Sequence, residues 1–145
     1  MAAGYLTIET HSDHPAVVRL RVTERRPEPE HAAAHTAQVR YISRFNDPLT
    51  ATMHLHEILR RRLIDPDEHM YRTDFITAIA ALESIDLRHE RIYLDPLLDD
   101  ETCAEITRQT EEFVARRQRR DKVFQAMGFV GIAILLFNLF FFSLS

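Results

Sequence analysis

Eight histidines and one cysteine are the residues of this chain best suited to metal binding or nucleophilic chemistry, and their spacing restricts both. Cys103 falls in the first turn of an expected helix, where the partial positive charge of the N-terminus favours a thiolate. A single cysteine builds neither an intramolecular disulfide nor a multi-cysteine metal site, and in such a place it is more commonly a small packing residue. His31 and His35 would share a face if their segment were helical. They have no third ligand nearby in sequence and follow a proline-rich stretch, so surface histidines are expected there rather than bound zinc or haem. His54 and His56 would point about 200° apart on a helix and cannot chelate one ion together.

Glycine decides much of the rest. Outside the C-terminal apolar run only Gly4 is present, which excludes a phosphate-cradling loop, a dinucleotide fingerprint and a nucleophile elbow, all of which need glycine where backbone meets ligand. Arg60, Arg61 and Arg62 close an expected helix, where cations complement the dipole; that reading is preferred to an anion site. Glu57 with Arg61, and Glu111 with Arg116, read as ordinary helix-surface charges. No set of residues names a reaction, so the expectation is a protein that is not an enzyme and carries no cofactor.

Charge is unevenly distributed. Before Arg116 the chain holds 21 acidic residues against 13 arginines, whereas residues 116–145 hold five basic residues and one acid. An acidic domain argues against nucleic acid, whose phosphates call for a basic face. Residues 123–145 carry no charged side chain, and only Gln125, Asn138, Ser143 and Ser145 are polar. As a helix this run spans roughly 35 Å, enough for the hydrocarbon core of a bilayer. A domain of about 115 residues could not enclose so apolar a rod.

Immediately before the run, Arg116, Arg117, Arg119, Arg120 and Lys122 form a basic collar. Positive charge on one flank only predicts that this flank stays on the cytoplasmic side, or the matrix or stromal equivalent, where anionic lipid headgroups attract the same residues. The apolar run ends with the chain, and the N-terminus lacks a basic segment followed by an apolar one, so a tail-anchored, single-pass integral membrane protein is expected. A cleaved lipid-anchor signal would need a secretory leader and a polar spacer. Within the run, Asn138 offers a hydrogen bond to a partner helix or reaches water near the far interface. Gly128 and Gly131 are three apart, not four, so a glycophorin-type self-association motif is not indicated.

The residues before the collar must fold as one domain. Leu6 and Ile8, then Val18, Leu20 and Val22, alternate with polar residues, predicting an amphipathic hairpin with its turn at residues 11–15. Residues 25–30 read as an exposed loop, residues 39–45 as a third strand and residues 91–94 as another. Three Asp-Pro dipeptides, at Asp47, Asp65 and Asp95, read as helix starts, because the carboxylate caps an orphan N–H and proline has none to lose. After the first, Ala51, Leu55, Ile58 and Leu59 recur on one face. After the second, Glu68 completes a capping box and Phe75, Ile76, Ile79, Ala80 and Leu82 carry the stripe. A last helix from about Asp100 runs without a break into the anchor.

The expected architecture is an α+β domain with a small, mainly antiparallel sheet and helices on one face, followed by a single C-terminal transmembrane helix. The divisions are residues 1–115 for the soluble domain, 116–122 for the collar and 123–145 for the membrane helix. Small size, a bulky single anchor and the lack of a catalytic constellation suggest a noncatalytic accessory subunit of a multisubunit membrane complex with a structural or assembly role, its partners other integral membrane subunits. Respiratory or photosynthetic assemblies, translocation machines and transporters would all accept such a subunit. The alternative is a tail-anchored adaptor that recruits a soluble partner, by an exposed strand edge for example.

Overall fold

The computed structural model describes residues 3–29 and 37–143. His31, His35 and most of the alanine-rich piece around them lie outside the described residues. The chain divides into two compact units, Met1–Glu111 and Glu112–Ser145.

The first unit is built on a six-stranded antiparallel sheet. Its strands are β1 (Gly4–His11), β2 (His14–Thr23), β3 (Ala37–Phe45), β4 (Leu63–Asp65), β5 (Met70–Tyr71) and β6 (His89–Leu94), in the spatial order β4-β5-β2-β1-β3-β6. The hairpin turn is tighter than expected, because His14 and Pro15 already belong to β2 and only Ser12 and Asp13 remain as loop. Register follows the alternation of the sequence. Leu6, Ile8 and Thr10 stand opposite Val22, Leu20 and Val18, and Ile8 also pairs with Tyr41. This face holds the core, with Leu6, Ile8, Leu20, Tyr41 and Phe45 all buried. Thr7, Glu9, Arg19 and Arg21 pair with one another on the opposite face.

Two helices cover the apolar face. Helix α1 (Pro48–Ile58) begins after Asp47, as expected from the dipeptide, and buries Ala51, Thr52 and Leu55. Ile58, expected on the same face, is its last residue and is 37 % exposed; Leu59, just past the end, takes the inward position. Helix α2 (Phe75–Glu83) buries every residue from Thr77 to Leu82. At roughly 1.5–3 kcal/mol for each large aliphatic side chain taken from water, Leu55, Ile79 and Leu82 anchor the two helices to the sheet. Helix α3 (Asp100–Ser143) is a single uninterrupted helix of 44 residues. Its first turns close the domain through buried Ile106 and a hydrogen bond from the Thr77 hydroxyl to Gln109 Oε1 at 3.0 Å.

Two of the three expected helix starts are corrected. Asp65-Pro66 opens a tight turn between β4 and β5: Asp65 Oδ1 accepts hydrogen bonds from the amides of Asp67 and Glu68 at 2.9 and 3.2 Å. Only a few residues then separate it from β5, too few for a helix. Asp95-Pro96 likewise makes a turn, with Asp95 Oδ1 accepting from Leu97 N at 3.0 Å. The helices instead start one residue after Asp47, Asp74 and Asp99. In each case the carboxylate accepts from the amide of a threonine three residues on, Thr50, Thr77 and Thr102.

Candidate functional site

From Gln118 to Ser143 every residue of α3 is exposed. This is the one helix among the described residues long and apolar enough to cross a membrane. Residues 123–143 rise about 30 Å, the thickness of a bilayer's hydrocarbon core. Fourteen large apolar side chains in this stretch, Val123 to Phe142, stand between 57 and 83 % exposed. At about 1.5–3 kcal/mol each, water contact forfeits on the order of 20–40 kcal/mol. The apolar surface runs all the way round the helix, which distinguishes it from the one-sided stripe of a helix packed on a soluble core.

Arg116, Arg117, Arg119, Arg120 and Lys122 occupy about 9 Å of the same helix just before the apolar stretch. At 100° per residue they are distributed around the axis rather than along one side, and the single acid, Asp121, falls in their widest gap. Arg116 lies over the Phe113 ring, 5.9 Å from its centroid. Asn138 is exposed about 24 Å beyond Lys122 along the helix. The collar precedes the apolar stretch and Asn138 lies about two-thirds of the way along it, so the two form no common site. Gly128 and Gly131 have nothing within 4 Å of an added Cβ.

The domain brings together residues that sequence spacing kept apart. His56, half-buried on α1, places Nε2 3.2 Å from Nδ1 of His69, in the turn before β5, and its Nδ1 3.0 Å from the Tyr71 hydroxyl. Burial, then the neighbouring His69, lower the pKa of His56, and burial alone pushes the Tyr71 phenol well above its ordinary value. His56 is thus neutral and Tyr71 protonated at neutral pH. His69 has φ +51°, the left-handed region, which costs a side chain roughly 1–2 kcal/mol. The Asp65 turn and the bond from Leu20 N to His69 O at 3.0 Å hold it there. His54, by contrast, is exposed on the far side of α1, as the helical angle requires. The signal for the His56–His69 pair was not in local spacing; it depends on β5 folding back beside β2.

A second cluster is structural. Asp95, whose side chain is 2 % exposed, accepts from Arg40 Nη1 at 2.7 Å and Gln38 Nε2 at 3.0 Å. The Arg40 guanidinium also lies 4.8 Å from the Phe75 ring centroid and donates to Thr10 Oγ1. It forms one wall of an open cleft of about 420 Å³ beside His11, Gln38 and Phe75, but its charge is already matched by Asp95. On the other face of the sheet Glu9 is buried 3.5 Å from Arg21 Nε. Desolvation raises its pKa against the opposing pull of Arg21 and Arg19. Cys103 is half-buried in the first turn of α3. Among the described residues no three His, Cys, Asp or Glu side chains converge as a metal set.

The chain matches no protein-family model, no curated protein and no solved structure.

Proposed function

We infer that the protein is a noncatalytic accessory subunit of a multisubunit membrane complex, held in the bilayer by the apolar part of α3. The observation that carries this reading is one continuous helix that leaves a folded domain and exposes an uncharged apolar surface on all sides for about the thickness of a bilayer. The basic collar lies on the cytoplasmic, matrix or stromal side against anionic lipid headgroups, with the domain on that side. Other integral subunits receive the helix. Asn138 supplies it with a hydrogen bond in a region where an amide gains from a partner, about 1–2 kcal/mol in model helices. Two attachments in one chain, domain and helix, raise each other's effective concentration on the same assembly.

The test is native electrophoresis after gentle solubilisation, with and without Asn138→Leu combined with Arg119→Glu and Arg120→Glu. The reading expects co-migration of the wild-type chain with a larger complex and loosening by the combined variant while the domain stays folded. Migration as a free monomer, with the complexes of that membrane unchanged on deletion of the gene, counts against it.

A second reading, an anchored adaptor that recruits a soluble partner, is favoured by Leu49 and Met53. They lie one turn apart on α1 and are 66 and 64 % exposed, a small apolar pair of the kind that partners cover. Loss of a soluble protein from the membrane on Leu49→Glu with Met53→Glu, the complexes intact, would distinguish it.

A further inference from the structure

We propose that His56 and His69 form a binding site for one divalent transition-metal ion of the zinc, copper or nickel class. The proposal rests on how the fold arranges their ring nitrogens and is independent of the membrane assignment.

His56 Nε2 and His69 Nδ1 are 3.2 Å apart, with ring planes inclined at 52°. An ion at a usual zinc–nitrogen distance of about 2.05 Å from both would subtend an angle of roughly 100° between them, close to tetrahedral. Imidazole nitrogens are ligands of choice for this class of ion, whereas magnesium and calcium require oxygens. Of the two acids adjacent to these histidines in sequence, Glu57 and Glu68, the second is engaged by Arg19.

A histidine that ligates through Nε2 characteristically gives its Nδ1–H to an oxygen, which fixes the tautomer. His56 Nδ1 has the Tyr71 hydroxyl oxygen at 3.0 Å, carried by a fully buried residue of β5. His69 is set in position by a left-handed backbone conformation, of the kind that concentrates at ligand sites. In the tautomers that carry the proton on His56 Nδ1 and on His69 Nε2, the two nitrogens that approach each other both have a lone pair to give to an ion. Both residues are half-buried, so water completes the coordination and the site takes up its ion directly from solution.

The alternative is that the rings share only an N–H···N hydrogen bond, and metal titration separates the two. Full-length protein without a histidine tag, in mild detergent and stripped by a chelator, is titrated with Co²⁺, whose visible bands report nitrogen coordination, and with Zn²⁺ by calorimetry. One equivalent per chain is expected. His56→Gln and His69→Asn should each weaken binding at least tenfold; asparagine is chosen because it tolerates positive φ. Tyr71→Phe should weaken it by about tenfold or more through the lost support, and His54→Gln should leave it unchanged. Histidine-selective ¹⁵N spectra of the wild-type chain give a readout that needs no variant. Zn²⁺ should move the His56 Nε2 and His69 Nδ1 resonances while His56 Nδ1 stays protonated. No saturable uptake, uptake indifferent to both substitutions, or ring resonances of His56 and His69 unmoved by the ion would each overturn the proposal.

Discussion

Replacing Asp95 by alanine removes the acceptor that holds β3 to the chain leaving β6. The carboxylate takes hydrogen bonds from Arg40, Gln38 and the Leu97 amide, and its side chain is 2 % exposed against 22 % for Arg40. Breaking a buried pair by removing one partner costs about 3–5 kcal/mol, because the other charge is left uncompensated. The partial exposure of Arg40 lets water repay some of this, so about 2–4 kcal/mol is expected. With a urea dependence of about 1.5 kcal/mol per molar, the unfolding midpoint should fall by about 2 M. The assay is near-ultraviolet circular dichroism, which follows the buried tyrosines Tyr41 and Tyr71; the far-ultraviolet signal of α3 would mask the domain. Asp95→Asn keeps an acceptor for Leu97 and should cost about half as much. An Asp95→Ala midpoint within about 0.3 M of wild type would refute the argument that this carboxylate is the buried counter-ion of Arg40.

Asp74→Ala should destabilise the domain by about 1 kcal/mol through loss of the α2 cap, whereas Pro66→Ala, in a turn, should change stability by less than about 0.5 kcal/mol; equal effects in urea titrations would restore the helix start at Asp65. Glu9 has its pKa raised by burial, so the folded state favours the protonated acid. Its contribution is most favourable below the unfolded value near 4.5 and is lost as pH rises through the higher folded value. Glu9→Gln should therefore gain stability relative to wild type between acid and neutral pH, and thermal melts showing the reverse trend would mean that Arg21 and Arg19 outweigh desolvation.

The parts of the fold that could be read in advance are those set by local periodicity. Leu6 and Ile8, and Val18, Leu20 and Val22, alternate because the sheet has one helix-covered face, and the uncharged run after Lys122 needs no tertiary context to be recognised. The Asp-Pro rule failed at Asp65 and Asp95 because a carboxylate followed by proline satisfies a tight turn as well as a first helical turn. The better local signal was aspartate with threonine three residues later, present at Asp47, Asp74 and Asp99 and absent at the two turns. The histidine pair was beyond local reading altogether. His56 and His69 are thirteen residues apart and meet only because β5 pairs with β2 and carries Tyr71 under α1.

The most direct measurement of the central claim is extraction of membranes with alkaline carbonate after expression of the full chain. The exposed apolar stretch of α3 predicts that the protein stays in the pellet, and that a chain ended at Ala115 is recovered in the soluble fraction. Full-length protein released into the supernatant would contradict the assignment of that helix to the bilayer.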